Sequence, residues 1–223
     1  LSTAGESSAS NGTTKLIHRF NPQLMILVGI AAGRKNKIKI GDVAIPRSVL
    51  DYTFTVKEDS SEKLRPSIPN LPHAVAQMIK SFFINEEQWF VTLNELLQEE
   101  LKAPIGCEEE YELHVAKRPN IHECTIASAD ILLRNGNTLE DLASTVHQNI
   151  KIGEMEAAGF IRACDSSKSF PCPWFIIRGI SDFGDEFKND SFHSYAACSA
   201  ASYMKHFLMY GLDLRIWRDS DSS

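Results

Sequence analysis

Apolar residues along this chain follow two rhythms. Leu24-Met-Ile-Leu-Val-Gly-Ile30 is continuously apolar after Asn21-Pro22, and Trp174-Phe-Ile-Ile-Arg-Gly-Ile180 repeats the pattern after Pro171 and Pro173. Runs of this length bounded by turn residues predict strands buried on both faces, as in a parallel sheet covered by helices. Shorter strands are predicted over Asp42–Leu50, Cys124–Ser128 and Asn149–Gly153. Elsewhere the apolar spacing lengthens to that of a helix over Leu71–Phe83, Trp89–Leu101, Thr138–His147, Glu154–Cys164 and from about Ser191 to Tyr210. Strands that alternate with helices indicate an α/β three-layer fold. The charged stretch Val56–Arg65 reads as a surface loop, and Cys107–Glu112, with four glutamates, as another exposed connection.

Composition narrows the function. The chain has 223 residues, of which 43% are hydrophobic and 23% charged, enough for a packed core and consistent with one domain over residues 1–223. No stretch approaches the roughly 18 consecutive apolar residues of a membrane-spanning helix. With 23 Lys plus Arg against 29 Asp plus Glu, the net charge is −6, and no basic block is present. Nucleic-acid binding is therefore not expected, because affinity for a polyanion rests on clustered cations. Five cysteines, an odd number without C-x-x-C spacing, point to reduced thiols and a cytoplasmic protein. The small, polar first fourteen residues carry no targeting signature, and a start at Leu1 suggests a segment of a longer chain.

Ligands of parallel α/β sheets bind beyond the carboxyl ends of the strands, and three such ends carry unusual residues. At Gly29-Ile-Ala-Ala-Gly33 small residues let backbone amides approach a ligand, or simply make a tight turn. Glu154-Met155-Glu156 follows a predicted strand. In extended backbone its two carboxylates project to one side and suit a sugar diol, whereas in a first helical turn they complement the helix dipole. Ser181-Asp182 closes the most apolar strand. An aspartate between Ile180 and Phe183 that loses water on burial holds its proton more tightly, as a general acid must; the alternative is a turn cap. The seven histidines form no metal-ligand spacing, and no G-x-S-x-G elbow is present, so neither a metal nor covalent catalysis is expected.

Taken in order, Val28-Gly-Ile-Ala-Ala-Gly33, Ile40-Gly-Asp-Val-Ala-Ile45, Ala127-Ser-Ala-Asp130, Glu154-Met-Glu-Ala157 and Ile177-Arg-Gly-Ile-Ser-Asp182 resemble the nucleoside phosphorylase and nucleosidase superfamily, which includes methylthioadenosine/S-adenosylhomocysteine nucleosidase. The resemblance spans about residues 13 to 210. It implies a three-layer sandwich around a central, mostly parallel mixed sheet, and cleavage of the bond between a purine and C1′ of its ribose. By the same resemblance Asp182 protonates N7 of the departing base and Glu156 holds ribose hydroxyls. Glu154, Met155, Ser181 and the stretch Gly29, Ile30, Ala31, Ala32, Gly33 surround the substrate, and Leu132 and Leu133 grip the base. Leu132 stands where these nucleosidases often carry an aromatic.

Family members begin with strands that supply phosphate-binding groups or the glutamate that orients water, and the matching region here starts at the helix before Pro22. The resemblance therefore leaves open a hydrolytic nucleosidase, a phosphorylase with inorganic phosphate as co-substrate, and an inactive purine-binding regulatory module. No other cofactor is implied. The version Arg178–Asp190, with Tyr195-Ala-Ala197, looks most like superfamily domains fused to larger signalling or defence proteins, some of which hydrolyse adenine nucleotides. Arg34, Lys35 and Lys37 are the candidate cations for a 5′-phosphate. Homo-oligomers are common in the family and are expected here.

Overall fold

The computed structural model describes residues 5–53, 55–58, 61–64, 66–82, 85–100, 108–130, 137–166, 171–186 and 190–212. Helix α1 (Glu6–Phe20) leads through Asn21, in the left-handed conformation at φ 43°, into strand β1 (Met25–Gly33). Then follow β2 (Val43–Asp51), the short pair β3 (Thr55–Glu58) and β4 (Ser61–Leu64), and helices α2 (His73–Ser81), α3 (Glu86–Glu100) and α4 (Glu108–Val115). Strand β5 (Ile121–Ser128), α5 (Thr138–Thr145), β6 (Ile150–Glu154), α6 (Ala157–Asp165), β7 (Trp174–Asp182) and α7 (His193–His206) complete the order, and α7 ends in a π turn over Phe207–Gly211.

Five strands form one mixed sheet in the order β1-β6-β5-β2-β7, whose ends meet so that the sheet closes as a barrel. The β1–β7, β2–β5 and β5–β6 pairings are parallel, while β1–β6 and β2–β7 are antiparallel. The α/β class and mostly parallel mixed sheet agree with the sequence reading, and the central sheet curls on itself. Helix α7 packs on β7, β1 and β2, α5 on β6, and α6 lies between α1 and the strands β1, β2 and β7. Pro46 cannot donate to the ladder, and the β2–β5 register shifts between Pro46 and Ser48.

β7 is buried along its whole length, as its apolar run predicts. β1 is not: residues Met25–Ile30 are only half-buried, and burial is complete only from Ala31. The reason is topological. β7 pairs with β1 throughout, but β6 meets it only at Ala32 and Gly33, so along most of β1 the second edge has no strand among the described residues. Two further expectations change. Residues of the charged stretch at 56–65 form the antiparallel β3–β4 pair, with Val56 opposite Lys63, and Glu108–Glu112 open helix α4, whose Tyr111 is buried while the glutamates face solvent. Charge runs obscure both elements because a run of polar residues carries no apolar period. No helix among the described residues is long and apolar enough to cross a membrane.

The amino end of α1 is tied to the sheet by polar contacts. Asp130 Oδ1 accepts the Glu6 N–H at 3.0 Å, and Arg162 of α6 pairs with both Glu6 and Asp51. Here α1 approaches α6 so closely that a Cβ on Gly159 would lie 2.1 Å from the Glu6 carbonyl oxygen. Gly159→Ala is therefore expected to push the helices apart and lower stability by about 1–3 kcal/mol, measured by urea unfolding. An unchanged midpoint would mean that α1 is not seated on α6 in solution.

Candidate active site

The sheet brings the three unusual segments to one place. Ala32 of β1 is the register partner of Asp182 on β7 and, on its other side, of Gly153 on β6. With strands about 4.8 Å apart, the backbone of Asp182 and that of Gly153 lie roughly 10 Å apart across Ala32. Glu154 and Glu156 follow directly on Gly153. The stretch Gly29–Gly33 that runs between them remains β-strand to its end and does not form a turn.

Glu154 is the last residue of β6, and Glu156 is the N-cap of α6. Their carboxylates have different surroundings. Glu154 turns back onto the helix start: Oε2 accepts the Glu156 N–H at 2.9 Å, and both oxygens lie 3.0 Å from the Ala157 N–H. It thus satisfies amides left open by the first helical turn, as the helix-start reading of this tripeptide anticipated, although it is buried and not solvated. Glu156 is more open, with its side chain 36% exposed. Arg178 joins them. Its Nη2 donates to Glu154 Oε2 at 2.5 Å and to Glu156 Oε2 at 3.1 Å, leaving Glu156 Oε1 without a hydrogen bond from a described residue. Arg178 is 2% exposed, and its Nε is buried without a hydrogen-bond partner among the described residues. Two carboxylates this close repel one another in a poorly solvated site, and a buried guanidinium between them offsets that repulsion. Met155, between the two acids, is half-buried.

Asp182 is 6% exposed. Its surroundings are more polar than its apolar sequence neighbours suggest: Ser181 Oγ donates to Oδ2 at 2.7 Å and the Gly184 N–H to Oδ1 at 2.8 Å. The Ser181 hydroxyl also has the Ala31 carbonyl 3.4 Å away. The β1–β7 register skips one residue here, Ala31 pairing with Ile180 and Ala32 with Asp182. A bulge of this kind re-aims a side chain, and it sits at the candidate acid.

Two residues escaped the sequence reading. Arg178 stands in a quoted motif, but no role was assigned to it; the available signal was a lone charge inside the most apolar strand. Tyr52, just past β2, gave no signal. It is 8% exposed, packs in the cluster that contains Ala32 and Ala129, and its phenol is pushed up to about 12 by burial and by Glu154 and Glu6 nearby. Of the candidate phosphate cations, Arg34 is committed to Glu140 through Nε at 2.5 Å and Nη2 at 2.6 Å, and Lys35 lies 3.5 Å from Asp185. Lys37 is exposed. Ile30 is half-buried, and Ala31 and Ala32 are buried. Leu132 and Leu133 lie outside the described residues. Among the described residues no cluster of His, Cys, Asp and Glu fits a metal ion, and Cys124, Cys164, Cys172 and Cys198 are free thiols.

A mixed α/β barrel with two acids flanking one strand end describes a class of small-molecule sites, and comparison with known proteins supplies the family. Residues 3–208 match the family model of the phosphorylase superfamily, and the chain belongs to that superfamily. It is 34% identical over 215 residues to ATP nucleosidase Cap17 of Escherichia coli, covering 95% of this chain and 41% of that protein, so the chain spans about two fifths of this relative's length. It is 25% identical over 201 residues to 5′-methylthioadenosine/S-adenosylhomocysteine nucleosidase of Exiguobacterium sp., covering 90% of this chain and 73% of the relative. Among solved structures, the same nucleosidase from Neisseria meningitidis, in complex with methylthio-immucillin-A, superposes with a TM-score of 0.65 at 19% identity, over 93% of this chain and 78% of that one. Futalosine hydrolase of Helicobacter pylori superposes with a TM-score of 0.63 at 20% identity, over 93% and 77%.

The Tyr52 phenol has a consequence for stability. Its folded value of about 12 lies above the ordinary 10, so the unfolded chain ionises first as pH rises. Its contribution is complete below pH 10 and is lost between 10 and 12. Urea midpoints should fall from pH 9 to pH 11, less steeply in Tyr52→Phe, with burial of Tyr195 and Tyr203 adding to the wild-type fall. Identical slopes in the two proteins would place the Tyr52 hydroxyl in water.

Proposed function

We propose that this domain is a purine N-glycosidase that hydrolyses the bond between a purine and C1′ of its ribose. The observation that carries the reading is the row Asp182–Ala32–Gly153, which sets a buried carboxyl group and the Glu154–Glu156 pair on either side of one strand end. Breaking an N-glycosidic bond leaves positive charge on the sugar and negative charge on the base. Asp182 donates a proton to N7 as the base departs, so the leaving group is neutral. Glu156 accepts hydrogen bonds from the ribose hydroxyls through its open oxygen, and these strengthen as the ring becomes cationic. Water adds at C1′, and the proton it loses is balanced by reprotonation of Asp182, which completes the reaction. Ser181 and Gly184 orient the acid.

Superfamily membership, together with relatives that include an ATP nucleosidase, supports purine nucleosides and adenine nucleotides as the substrate classes. For a nucleotide, Lys37 and the weakly held Lys35 are the available cations near Gly33, because Arg34 is already paired. Free thiols support a cytoplasmic setting, superfamily membership supports a homo-oligomer, and the 41% coverage of the ATP nucleosidase relative supports further domains in the native polypeptide.

The test is incubation of the full-length protein with methylthioadenosine, adenosine, inosine, AMP and ATP, and detection of free base. Release from at least one substrate without added phosphate is expected, and Asp182→Asn should slow it by about 10²–10⁴-fold, the usual cost of losing a general acid. Turnover only with phosphate, yielding ribose 1-phosphate, assigns the site to a phosphorylase. Purine binding by calorimetry with no base released from any substrate overturns the enzymatic reading.

A further inference from the structure

A residue counted among the ligand contacts has another task in this structure. Gly29 is the register partner of Arg178 across the β1–β7 ladder. A Cβ at Gly29 would lie 2.1 Å from Arg178 Nη1 and 3.3 Å from Cζ, so the guanidinium occupies the volume that any other side chain would take. From that position, 2% exposed, the same guanidinium reaches Glu154 and Glu156.

We propose that Gly29 and Arg178 form one positioning unit for Glu156: the missing side chain of β1 seats the guanidinium, and the guanidinium fixes the carboxylate that grips the ribose. This deepens the nucleosidase reading of the same site and rests on it. Glu154 is the fixed end of the unit, since the amides of Glu156 and Ala157 already hold it. Glu156 is the adjustable end, bonded through Oε2 at 3.1 Å, while its Oε1 takes no hydrogen bond from a described residue. Arg178 touches neither the base nor the proton in flight. It sets the distance between the ribose grip and the acid at the end of its own strand, four residues further along at Asp182. A displacement of about 1 Å at such a point costs on the order of 10²-fold in rate.

The unit makes a prediction that ligand approach to a bare glycine does not. Wild type, Gly29→Ala, Arg178→Lys and the double variant are compared in the full-length protein, each checked for a native unfolding transition. Gly29→Ala is expected to lower kcat/KM for the nucleoside by about 10–100-fold. It should weaken binding of the nucleoside while leaving binding of the free purine base within about two-fold, because the base is held at the Asp182 end. In Arg178→Lys the slimmer side chain vacates the Cβ position, so adding Gly29→Ala should cost less than about three-fold more. Non-additivity of that size marks two residues acting through one contact. An equal loss from Gly29→Ala in both backgrounds, or equal weakening of base and nucleoside, overturns the unit and returns Gly29 to direct ligand contact. Wild-type protein that releases no base contradicts the nucleosidase reading itself, an outcome visible before any variant is compared.

Discussion

One buried guanidinium organises the candidate site. Arg178 lies inside the most apolar strand of the chain, and a charge there is tolerable only when neighbouring groups of opposite sign compensate for lost water. Glu154 and Glu156 provide that compensation, and they in turn sit side by side only because a cation lies between them. The fold serves this arrangement. β7 carries the arginine, β6 ends at the first glutamate, α6 begins on the second, and the absent side chain of Gly29 on β1 leaves room for the guanidinium. Two acids that look equivalent in sequence thereby differ: Glu154 satisfies the amides at the helix start, while Glu156 keeps one oxygen open.

The same strand places the second functional group. Ile180 stays with the register of Arg178, but the shift at Ser181 delivers Asp182 opposite Ala32, where its carboxylate is held by Ser181 and Gly184. In the proposed reaction, Glu156 on one side of this strand end and Asp182 on the other meet the opposite charges that develop at the two ends of the breaking bond. Small residues recur along β1 with separate consequences: Gly29 leaves room for the guanidinium, while Ala31 and Ala32 are buried in different apolar clusters.

Much of this was legible in the sequence, for identifiable reasons. Unbroken apolar runs located β1 and β7, and helical spacing located α2, α3, α5, α6 and α7, because buried surfaces impose a period on the chain. The ordered motifs pointed to Glu154, Glu156 and Asp182. Spacing could not say which glutamate caps the helix, since that depends on where β6 stops. Nor could it show that β1 keeps a half-buried edge, because burial depends on which strand lies beyond it. The β3–β4 pair and helix α4 were hidden by charge, and Tyr52 entered the site only through the strand order, in which Ser128 of β5 pairs with both Asp51 of β2 and Glu154 of β6.

The central claim is geometric: one nucleoside spans the two acids. A crystal structure of the full-length protein with a non-hydrolysable purine nucleoside analogue tests it most directly. The account predicts the imidazole edge of the base within hydrogen-bond distance of Asp182 and the ribose diol on Glu156, with Arg178 still joined to both glutamates. A nucleoside bound with its sugar away from Glu156, or with its base away from Asp182, contradicts it.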